Sequence, residues 1–387
     1  MRRTPDVALL IEMSNTYARG LLHGIRQYLR EHGPWSIHYG EQRRGEPPPT
    51  WLRRWRGQGI IARVETPRIA SMLRQVAVPT VDVSAARLLP ELPCVETDDQ
   101  AIAGLAAEHL VERGFKRFAF CPVPGFNWSK WREGAFASEV VGRGFQFFHY
   151  EPADGGRKPR DPWDIDEPAV SRWLRRLPKP IGVFAAWDGC GLRLLDMCRR
   201  MKIAVPDEVA VLGVDDDELL CDMAEPPLSS VTTDPFHTGY RAAGLLDKMM
   251  SGRKVAPDIH RIKPLGITAR KSTDVMATQD PGVSQAVRFI RRHACEGINV
   301  EDVLDAVPMS RGALDTRFKA LLGRTPHDEI VRVRLQRARE LLEATHLGLD
   351  DIARRSGFRH VEYLSSVFKK KTGVSPSEHR NRHAKRP

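Results

Sequence analysis

Acidic side chains, an arginine and tryptophans follow several short apolar runs in the first 270 residues. Carboxylates accept hydrogen bonds from hydroxyl groups, arginine donates to them, and aromatic faces pack on C–H surfaces. Together these residue types predict a site for a small, uncharged ligand rich in hydroxyls. The candidate residues are Met13, Ser14, Asn15, Asp98, Trp131, Arg132, Trp187, Asp188 and Asp215. Among them, we expect Asp98, Arg132, Asp188 and Asp215 to bind the hydroxyls.

Other roles remain open for the same side chains. The charged residues could instead cap loops or pair between two lobes. Trp128, Trp131 and Trp187 could be core or dimer-contact residues instead of stacking on a ligand. An enzyme is a further alternative, because neighbouring carboxylates can do acid–base work. The chain, however, has no G-x-G-x-x-G after the first apolar run, no P-loop, no H-E-x-x-H and no G-x-S-x-G. We therefore expect a binding protein and no catalysis.

The elements that position these residues are βαβ units. Short apolar runs alternate with amphipathic stretches, a pattern typical of a parallel sheet covered on both faces. Ligands usually bind at the carboxyl ends of such strands. Strands are predicted at Val7–Ile11, Gly59–Ala62, Thr80–Val83, Phe118–Cys121, Gly182–Ala185 and Val209–Val214, and helices at Tyr17–Arg30, Asp99–Arg113, Asp166–Leu177, Gly189–Met201 and Thr238–Ser251.

Most of the net positive charge lies in the last quarter of the chain. The net charge is +11, and residues 282–387 hold 21 Lys and Arg against 13 Asp and Glu. Such a surface attracts phosphate backbones, and its binding weakens as salt rises. This part has no strand pattern. Helices are predicted at Val283–His293, Val300–Ala306, Arg311–Leu322, Pro326–Thr345, Leu349–Arg355, Val361–Thr372 and Pro376–Arg382.

Two helix-turn-helix patterns lie about fifty residues apart in this last quarter. Between them runs the amphipathic helix Pro326–Thr345, which at ~1.5 Å per residue is about 30 Å long. One turn of B-DNA is ~34 Å, so two recognition helices could enter successive major-groove segments. The last hundred residues resemble the AraC-family DNA-binding domain. The residues that carry this resemblance are Leu314, Phe318, Lys319, Arg334, Ala338, Leu341, Leu342, Ile352, Ala353, Gly357, Phe358, Phe368, Lys369, Lys370, Gly373, Pro376, His379 and Arg380.

The AraC resemblance implies which side chains face DNA. In the first recognition helix these are Arg311, Gly312, Asp315, Thr316 and Arg317, and in the second Arg359, His360, Glu362, Ser365, Ser366 and Lys369. Arginine can pair with guanine and a carboxylate with cytosine N4, whereas Arg317 and Lys369 are expected near phosphates. Any of these residues could instead be a solvated side chain. Two positions depart from the family pattern: Pro308 stands where glycine is common, and His379 where tyrosine is usual.

The first 270 residues resemble the sugar-binding core of LacI/GalR regulators and periplasmic binding proteins. The resemblance lies in the order of the segments Val95–Asp99, Gly114–Ala119, Arg132–Phe136, Phe184–Asp188, Val211–Asp215 and Pro227–Thr233. LacI regulators carry their DNA headpiece before this core, whereas here the first predicted strand begins near Asp6 and the helix-turn-helix units come last. That order resembles the bacterial regulators of xylose operons.

This second resemblance implies a cytoplasmic, sugar-responsive transcription regulator. Its effector would be D-xylose or a related pentose, and no cofactor is expected. Its partners would be operator DNA, RNA polymerase and a second copy of the chain, and it would act as an activator. The alternatives are a different small polyol, or constitutive action without ligand. Ala18 stands where the xylose regulators have an acidic residue, so the identity of the sugar stays open.

The predicted fold is an α/β two-lobed, periplasmic-binding-protein-like core followed by an all-α domain with two helix-turn-helix units. We place the core at 1–270, a linker at 271–284 and the DNA-binding domain at 285–387. The six cysteines are spread singly, so no structural zinc site is expected. No stretch reaches the ~20 apolar residues that a membrane span requires.

Overall fold

The computed structural model describes residues 4–40, 46–150, 166–274, 280–345 and 347–384. The chain divides near Asp274 into a larger and a smaller compact unit. In the larger unit the strands are β1 (Asp6–Leu10), β2 (Ser36–Tyr39), β3 (Gly59–Ala62), β4 (Thr80–Asp82), β5 (Cys94–Thr97), β6 (Arg117–Cys121), β7 (Gln146–Phe148), β8 (Ile181–Ala185), β9 (Val209–Val214), β10 (Ser229–Thr232), β11 (Ile259–Ile262) and β12 (Gly266–Thr268). Its helices are α1 (Thr16–His32), α2 (Pro67–Val76), α3 (Asp99–Glu112), α4 (Asn127–Gly142), α5 (Glu167–Arg176), α6 (Asp188–Arg200), α7 (Glu218–Met223) and α8 (Pro235–Met250).

The strands of the larger unit form two sheets, and each sheet is the centre of one lobe. The first has the order β11-β5-β4-β3-β1-β2, and all its pairs are parallel. The second has the order β12-β10-β9-β8-β6-β7, with β12 antiparallel to β10. The chain crosses between the sheets after β5, after β10 and after β11, so three connections join the lobes. The predicted two-lobed α/β core is thereby confirmed.

Helices α1 and α8 pack together on the first sheet at very short distance. A Cβ on Gly24 would lie 1.9 Å from the Phe236 carbonyl oxygen, and one on Gly239 would lie 2.0 Å from that of Leu21. The two helices can approach this closely because both contact positions lack a side chain. Their close packing fixes α1, whose first turn borders the cavity described below.

The smaller unit is helical throughout its described residues. Its helices are α9 (Pro281–His293), α10 (Val300–Asp305), α11 (Arg311–Leu322), α12 (Pro326–Ala344), α13 (Leu349–Arg355), α14 (Val361–Thr372) and α15 (Pro376–Ala384). Two apolar clusters hold them. One packs α9, α10 and α11 against Ile330 of α12, and the other packs α13 and α14 against Ala338, Leu341 and Leu342 of the same helix.

The border between the units differs from our placement at 270. Thr268 belongs to β12, and a 3-10 turn follows at Lys271–Thr273. Ser272 and Thr273 are fully buried in the larger unit, where the Ser272 hydroxyl donates to the Val211 carbonyl oxygen at 2.6 Å. Because these buried side chains are polar, they do not form an apolar run, and the pattern of apolar runs does not predict that the core extends to Thr273. Of the predicted linker 271–284, residues 275–279 lie outside the described residues, and α9 begins at Pro281.

Candidate effector cavity and nucleic-acid interface

A cavity of about 800 Å³ lies between the two lobes, at the carboxyl ends of their strands. Loops after β1, β3 and β4 and the last two residues of β5 line one side of it, and segments after β6, β8 and β9 line the other. Its volume is in the range of small-molecule sites, and such a position is where α/β proteins usually bind ligands. Six of the nine predicted residues line it: Ser14, Asn15, Arg132, Trp187, Asp188 and Asp215.

The remaining three predicted residues do not line the cavity and make other contacts. The half-buried Asp98 caps α3, because its carboxylate accepts from the Ala101 N–H at 3.0 Å. Met13 is 47% exposed, and its carbonyl oxygen accepts from Arg19. Trp131 lies under the guanidinium of Arg87, whose carbon is 4.0 Å from the ring centroid. None of the three is among the side chains that line the described cavity.

Contacts with other protein groups fix the position of Arg132 in the cavity wall. It is 4% exposed, and its Nε donates to Asp99 Oδ1 at 2.6 Å. Its Nη1 donates to the Ala186 carbonyl oxygen at 2.7 Å, and its guanidinium lies 4.9 Å from the ring centroid of Trp128. A buried guanidinium fixed in this way is a pre-positioned hydroxyl donor.

Asp188 is a fully buried carboxylate at the start of α6. It accepts from the Ser230 hydroxyl at 2.5 Å and from the Asp217 N–H at 2.8 Å. Burial, with a further contribution from the nearby Asp215, raises the pKa of Asp188 well above its usual range. Its protonation is therefore sensitive to whatever enters the cavity.

A sharp turn after β9 presents Asp215 to the cavity. Asp215 and Asp216 have φ values of 101° and 53°, which are uncommon for residues other than glycine and cost about 1–3 kcal/mol each. The contacts of the Asp216 carboxylate offset part of this conformational cost, since it pairs with Arg270 at 2.8 Å and accepts from the Thr232 hydroxyl at 2.9 Å. The conformation is thus held by its surroundings.

Arg63 and Glu65 line the cavity and were missed in the sequence analysis. Arg63 is 9% exposed, forms an ion pair with the buried Glu12 and lies 2.8 Å from Glu65 Oε1. Burial opposes its charge, but Glu65 and Glu12 outweigh burial and raise the pKa of Arg63. The signal was present, since these charged residues directly follow the buried strand β3.

Among the described residues, the side chains of Thr16, Asn127 and Arg87 make contacts across the cleft between the lobes. The Thr16 hydroxyl donates to Asp217 Oδ2 at 2.7 Å, and Asn127 Nδ2 donates to the Ala86 carbonyl oxygen at 3.1 Å. Arg87 spans to Trp131 and is held by the buried Glu96 through an Nε–Oε2 hydrogen bond of 3.1 Å. Such contacts can form or break when the lobes move.

The smaller unit presents two helices with one buried and one open face. Leu314 and Phe318 of α11 are buried, and so are Leu364 and Phe368 of α14. The residues expected to face DNA lie on the other side. Asp315 and Ser365 are half-buried, and the others, Arg311, Gly312, Thr316, Arg317, Arg359, His360, Glu362, Ser366 and Lys369, are exposed.

Two of these arginines have partners in the structure. Arg311 forms an ion pair with Glu301, and Arg317 pairs with Asp280 at 2.8 Å. Exposed pairs of this kind contribute at most about 1 kcal/mol, so phosphate can replace the carboxylate. Tyr363 on α14 is 46% exposed and was not singled out in the sequence. It adds an aromatic ring to the exposed face of this helix.

A buried carboxylate holds the start of α12. Glu329 is fully buried and lies 2.7 Å from Arg324, 2.7 Å from Arg332 and 3.6 Å from Arg291. Burial alone would raise its pKa, but the arginines outweigh burial and lower the pKa of Glu329 to about 2. The charge is therefore present at all ordinary pH values and fixes α12 relative to α9.

Comparison with known proteins decides the family. The model of the XylR N-terminal domain matches residues 6–100, that of the periplasmic binding protein-like domain residues 107–273, and that of a helix-turn-helix domain residues 303–382. The xylose operon regulatory protein of Escherichia coli K12 is 33% identical over 383 residues, which cover 97% of this chain and 96% of that protein. The chain belongs to the family of xylose operon regulatory proteins.

Further relatives support this assignment to the xylose operon regulatory proteins. The one from Haemophilus influenzae is 32% identical over 382 residues, which are 97% of each chain. A solved structure of the xylose-binding transcription activator XylR is 32% identical, covers 98% of both chains and superposes with a TM-score of 0.65. The predicted resemblance and the assignment to a helix-turn-helix transcription regulator are confirmed, and these relatives are regulators, not enzymes.

Metal clusters and membrane spans are two further kinds of feature that a chain of this composition could contain. No group of three or more His, Cys, Asp or Glu side chains there is placed to hold a metal ion. No helix in the same ranges has the length and apolar character needed to cross a bilayer.

Proposed function

We propose that a pentose, with D-xylose as the first candidate, is the effector of this regulator and binds in the 800 Å³ cavity. The observation that carries this proposal is the composition of the cavity wall. Arg63 and Arg132 can donate to sugar oxygens, while Asp188 and Asp215 can accept from sugar hydroxyls. Trp128 and Trp187 line the same cavity and offer aromatic faces for the C–H surface of the sugar. Membership of the xylose operon regulators supports the choice of sugar.

The sugar acts by favouring one arrangement of the lobes. A ligand that contacts residues from both sheets binds best when the lobes are close, and it shifts the population in that direction. The cleft contacts Thr16–Asp217 and Arg87–Trp131 are the protein groups that this shift strengthens. The free energy that couples the cavity to DNA affinity cannot exceed the difference in the free energy of sugar binding between the two arrangements.

The output is binding of operator DNA by the two helix-turn-helix units. The exposed side chains of α11 and α14 contact base edges, while Lys369 and Arg317 lie near phosphates. The active form is a homodimer joined through the larger units, acting in the cytoplasm and activating transcription beside RNA polymerase. This proposal is supported by family membership and by the exposed basic helices.

Calorimetric titration with a panel of pentoses and hexoses tests the effector. D-xylose is expected to give saturable heat, and to do so more tightly than its epimers. If another polyol binds and D-xylose does not, the sugar is wrong while the cavity assignment stands. If no sugar in the panel gives heat, the regulator acts without a sugar and the effector proposal is overturned. A variant with Arg132→Lys tests the location, because it keeps a positive charge beside Asp99 but loses the planar fork, so the heat should fall while the chain stays folded.

A further inference from the structure

The two helix-turn-helix units have separate apolar cores. Among the described residues the two clusters share no side chain, and α12 is the helix that contributes to both. Helices joined only through one connecting helix can twist and bend relative to each other. A protein that reads two groove segments at a fixed spacing therefore needs an additional tie between the units.

Such a tie is present where α9 meets the turn of the second unit. A 3-10 turn at Ala294–Glu296 follows α9, and Gly357 lies against it with φ of +80°. A Cβ on Gly357 would be 2.5 Å from the Ala294 carbonyl oxygen and 2.8 Å from the Cα of Cys295. The backbone of the second unit therefore touches the backbone of the first, with no space for a side chain between them.

Arg334 of α12 fastens this contact. Its Nε donates to the Ala294 carbonyl oxygen at 2.8 Å, and its Nη2 donates to the Ile298 carbonyl oxygen at 2.5 Å. Its guanidinium also lies 6.0 Å from the ring centroid of Phe358, which directly follows Gly357. One side chain thus holds the first unit by two hydrogen bonds and contacts the second unit through an aromatic ring.

The contact continues to the second recognition helix. A cavity of about 390 Å³ beside the junction is lined by Cys295 and Gly357 and also by Arg359 and Val361, where α14 begins. A change at the junction is only a few residues from the side chains expected to contact DNA. The orientation of α14 relative to α11 therefore depends on this junction.

We infer that Arg334 is a positioning residue that sets the spacing between the two groove segments the regulator accepts. It acts through the Ala294 and Phe358 contacts and does not itself touch DNA. The inference rests on the proposed operator binding by both units. One inserted base pair moves the second segment by about 3.4 Å and turns it by roughly 34°. A rigid junction makes this shift costly, and a loosened junction makes it tolerable.

The test uses the full-length protein and duplexes selected by it from a random-sequence pool. Affinity is measured for a selected duplex and for versions with one base pair inserted or deleted between the two contacted segments. The native chain should prefer the selected spacing by about tenfold or more, a difference of about 1.4 kcal/mol. Arg334→Met should reduce this ratio at least severalfold, because it removes both hydrogen bonds while keeping side-chain length.

A matched control separates position from charge. Arg337→Met removes one positive charge from an exposed site on the same helix and should leave the ratio unchanged. Should Arg334→Met fail to fold, as judged by its thermal melting, Arg334→Lys keeps the charge, loses the planar fork and should still lower the ratio. A ratio in these Arg334 variants equal to that of the native chain, or a native chain indifferent to spacing, overturns the inference. Selection of no sequence at all from the pool would instead overturn the proposed operator binding.

Discussion

The Nε of Arg132 lies 2.6 Å from Oδ1 of Asp99, and both side chains are almost fully buried. Asp99 is the first residue of α3, directly after the chain leaves the first sheet, whereas Arg132 lies on α4 of the second lobe. Burial raises the pKa of Asp99, and the charge of Arg132 opposes that rise. Asp99 does not line the cavity, whereas Arg132 does, so the buried pair fixes a side chain of the cavity wall.

Asp99→Asn should weaken both stability and sugar binding. Removing one partner of a buried ion pair leaves the other charge uncompensated, which costs about 3–5 kcal/mol. Arg132 is then free to move out of its position in the cavity wall. Urea unfolding followed by tryptophan fluorescence and calorimetric titration with D-xylose measure the two effects. Glu139→Gln is the control, because it breaks an exposed pair with Arg143 on α4 and should change neither quantity appreciably. Native-like stability in Asp99→Asn would show that the pair has no structural role.

Asp188→Asn should lower sugar affinity with little loss of stability. The amide keeps the shape of the side chain but replaces one acceptor by a donor, so a sugar hydroxyl that donates to Asp188 loses its partner. Leaving that buried hydroxyl without its acceptor costs about 1–3 kcal/mol, or roughly fivefold to a hundredfold in affinity. Calorimetry measures the affinity and thermal melting the stability. Asp196→Asn on the same helix α6 is exposed and should bind as the native chain does. Equal affinities in the two variants would remove Asp188 from the site.

Asp82 should make the stability of the larger unit fall as pH rises from about 4 to about 7. Burial, with a smaller contribution from the nearby Glu65, raises the pKa of Asp82 to about 7, although the N–H groups of Val64 and Ser84 donate to its carboxylate. In this window the folded protein holds a proton that the unfolded chain has released. Stability therefore decreases with rising pH until Asp82 is ionised in both states.

The variant Asp82→Asn isolates this contribution. Its difference in unfolding free energy from the native chain should change between pH 4 and pH 7 by an amount on the order of 4 kcal/mol, and should then level off. Urea unfolding at a series of pH values gives both curves. Asp258→Asn, at an exposed site of the same unit, should run parallel to the native chain. A constant difference between Asp82→Asn and the native chain would contradict a raised pKa.

Arg359→Ala and Lys370→Ala should affect DNA binding in different ways. Arg359 lies two residues before the second recognition helix, and its loss should cost about 1–3 kcal/mol on the selected sequence and relax specificity at one base pair. Lys370 lies at the other end of α14, and its loss should weaken binding to all sequences and lower the salt slope by about one. Fluorescence anisotropy against selected and random duplexes at several salt concentrations separates the two patterns. If Arg359→Ala weakened binding to all sequences and Lys370→Ala relaxed specificity, the roles assigned to these two side chains would be wrong.

The long apolar strands and the helices of the smaller unit could be predicted from the sequence, because their burial is continuous or strictly periodic. Gly59–Ala62, Val209–Val214 and Arg311–Leu322 agree with the structure at both ends. Six strands were not predicted, β2, β5, β7, β10, β11 and β12; all have only three or four residues, and β2, β7, β11 and β12 lie at sheet edges. Pairing with a neighbouring strand, not local pattern, makes them strands.

The site was predictable where a charged residue directly follows a buried strand, and less so elsewhere. Asp215 directly follows β9, and Arg63 directly follows β3 but was overlooked, whereas Asp188 lies three residues beyond β8 at the start of α6. Asp98 was predicted at the ligand, but an aspartate before a helix is also a common N-cap, and in the structure its carboxylate accepts from the Ala101 N–H at 3.0 Å. Trp131 sits on Arg87 across the cleft, a contact between residues 44 positions apart that the sequence cannot reveal.

The central claim is that occupancy of the cavity changes DNA affinity. The most direct test is the affinity of the full-length protein for a selected duplex, measured by fluorescence anisotropy with and without saturating D-xylose, for the native chain and for Asp188→Asn. A coupling free energy of about 1–3 kcal/mol is typical of such regulators, so we expect D-xylose to change the native affinity about fivefold to a hundredfold. At the same sugar concentration Asp188→Asn should respond much less. Identical native affinities with and without the sugar, at a concentration where calorimetry shows it bound, would contradict the account.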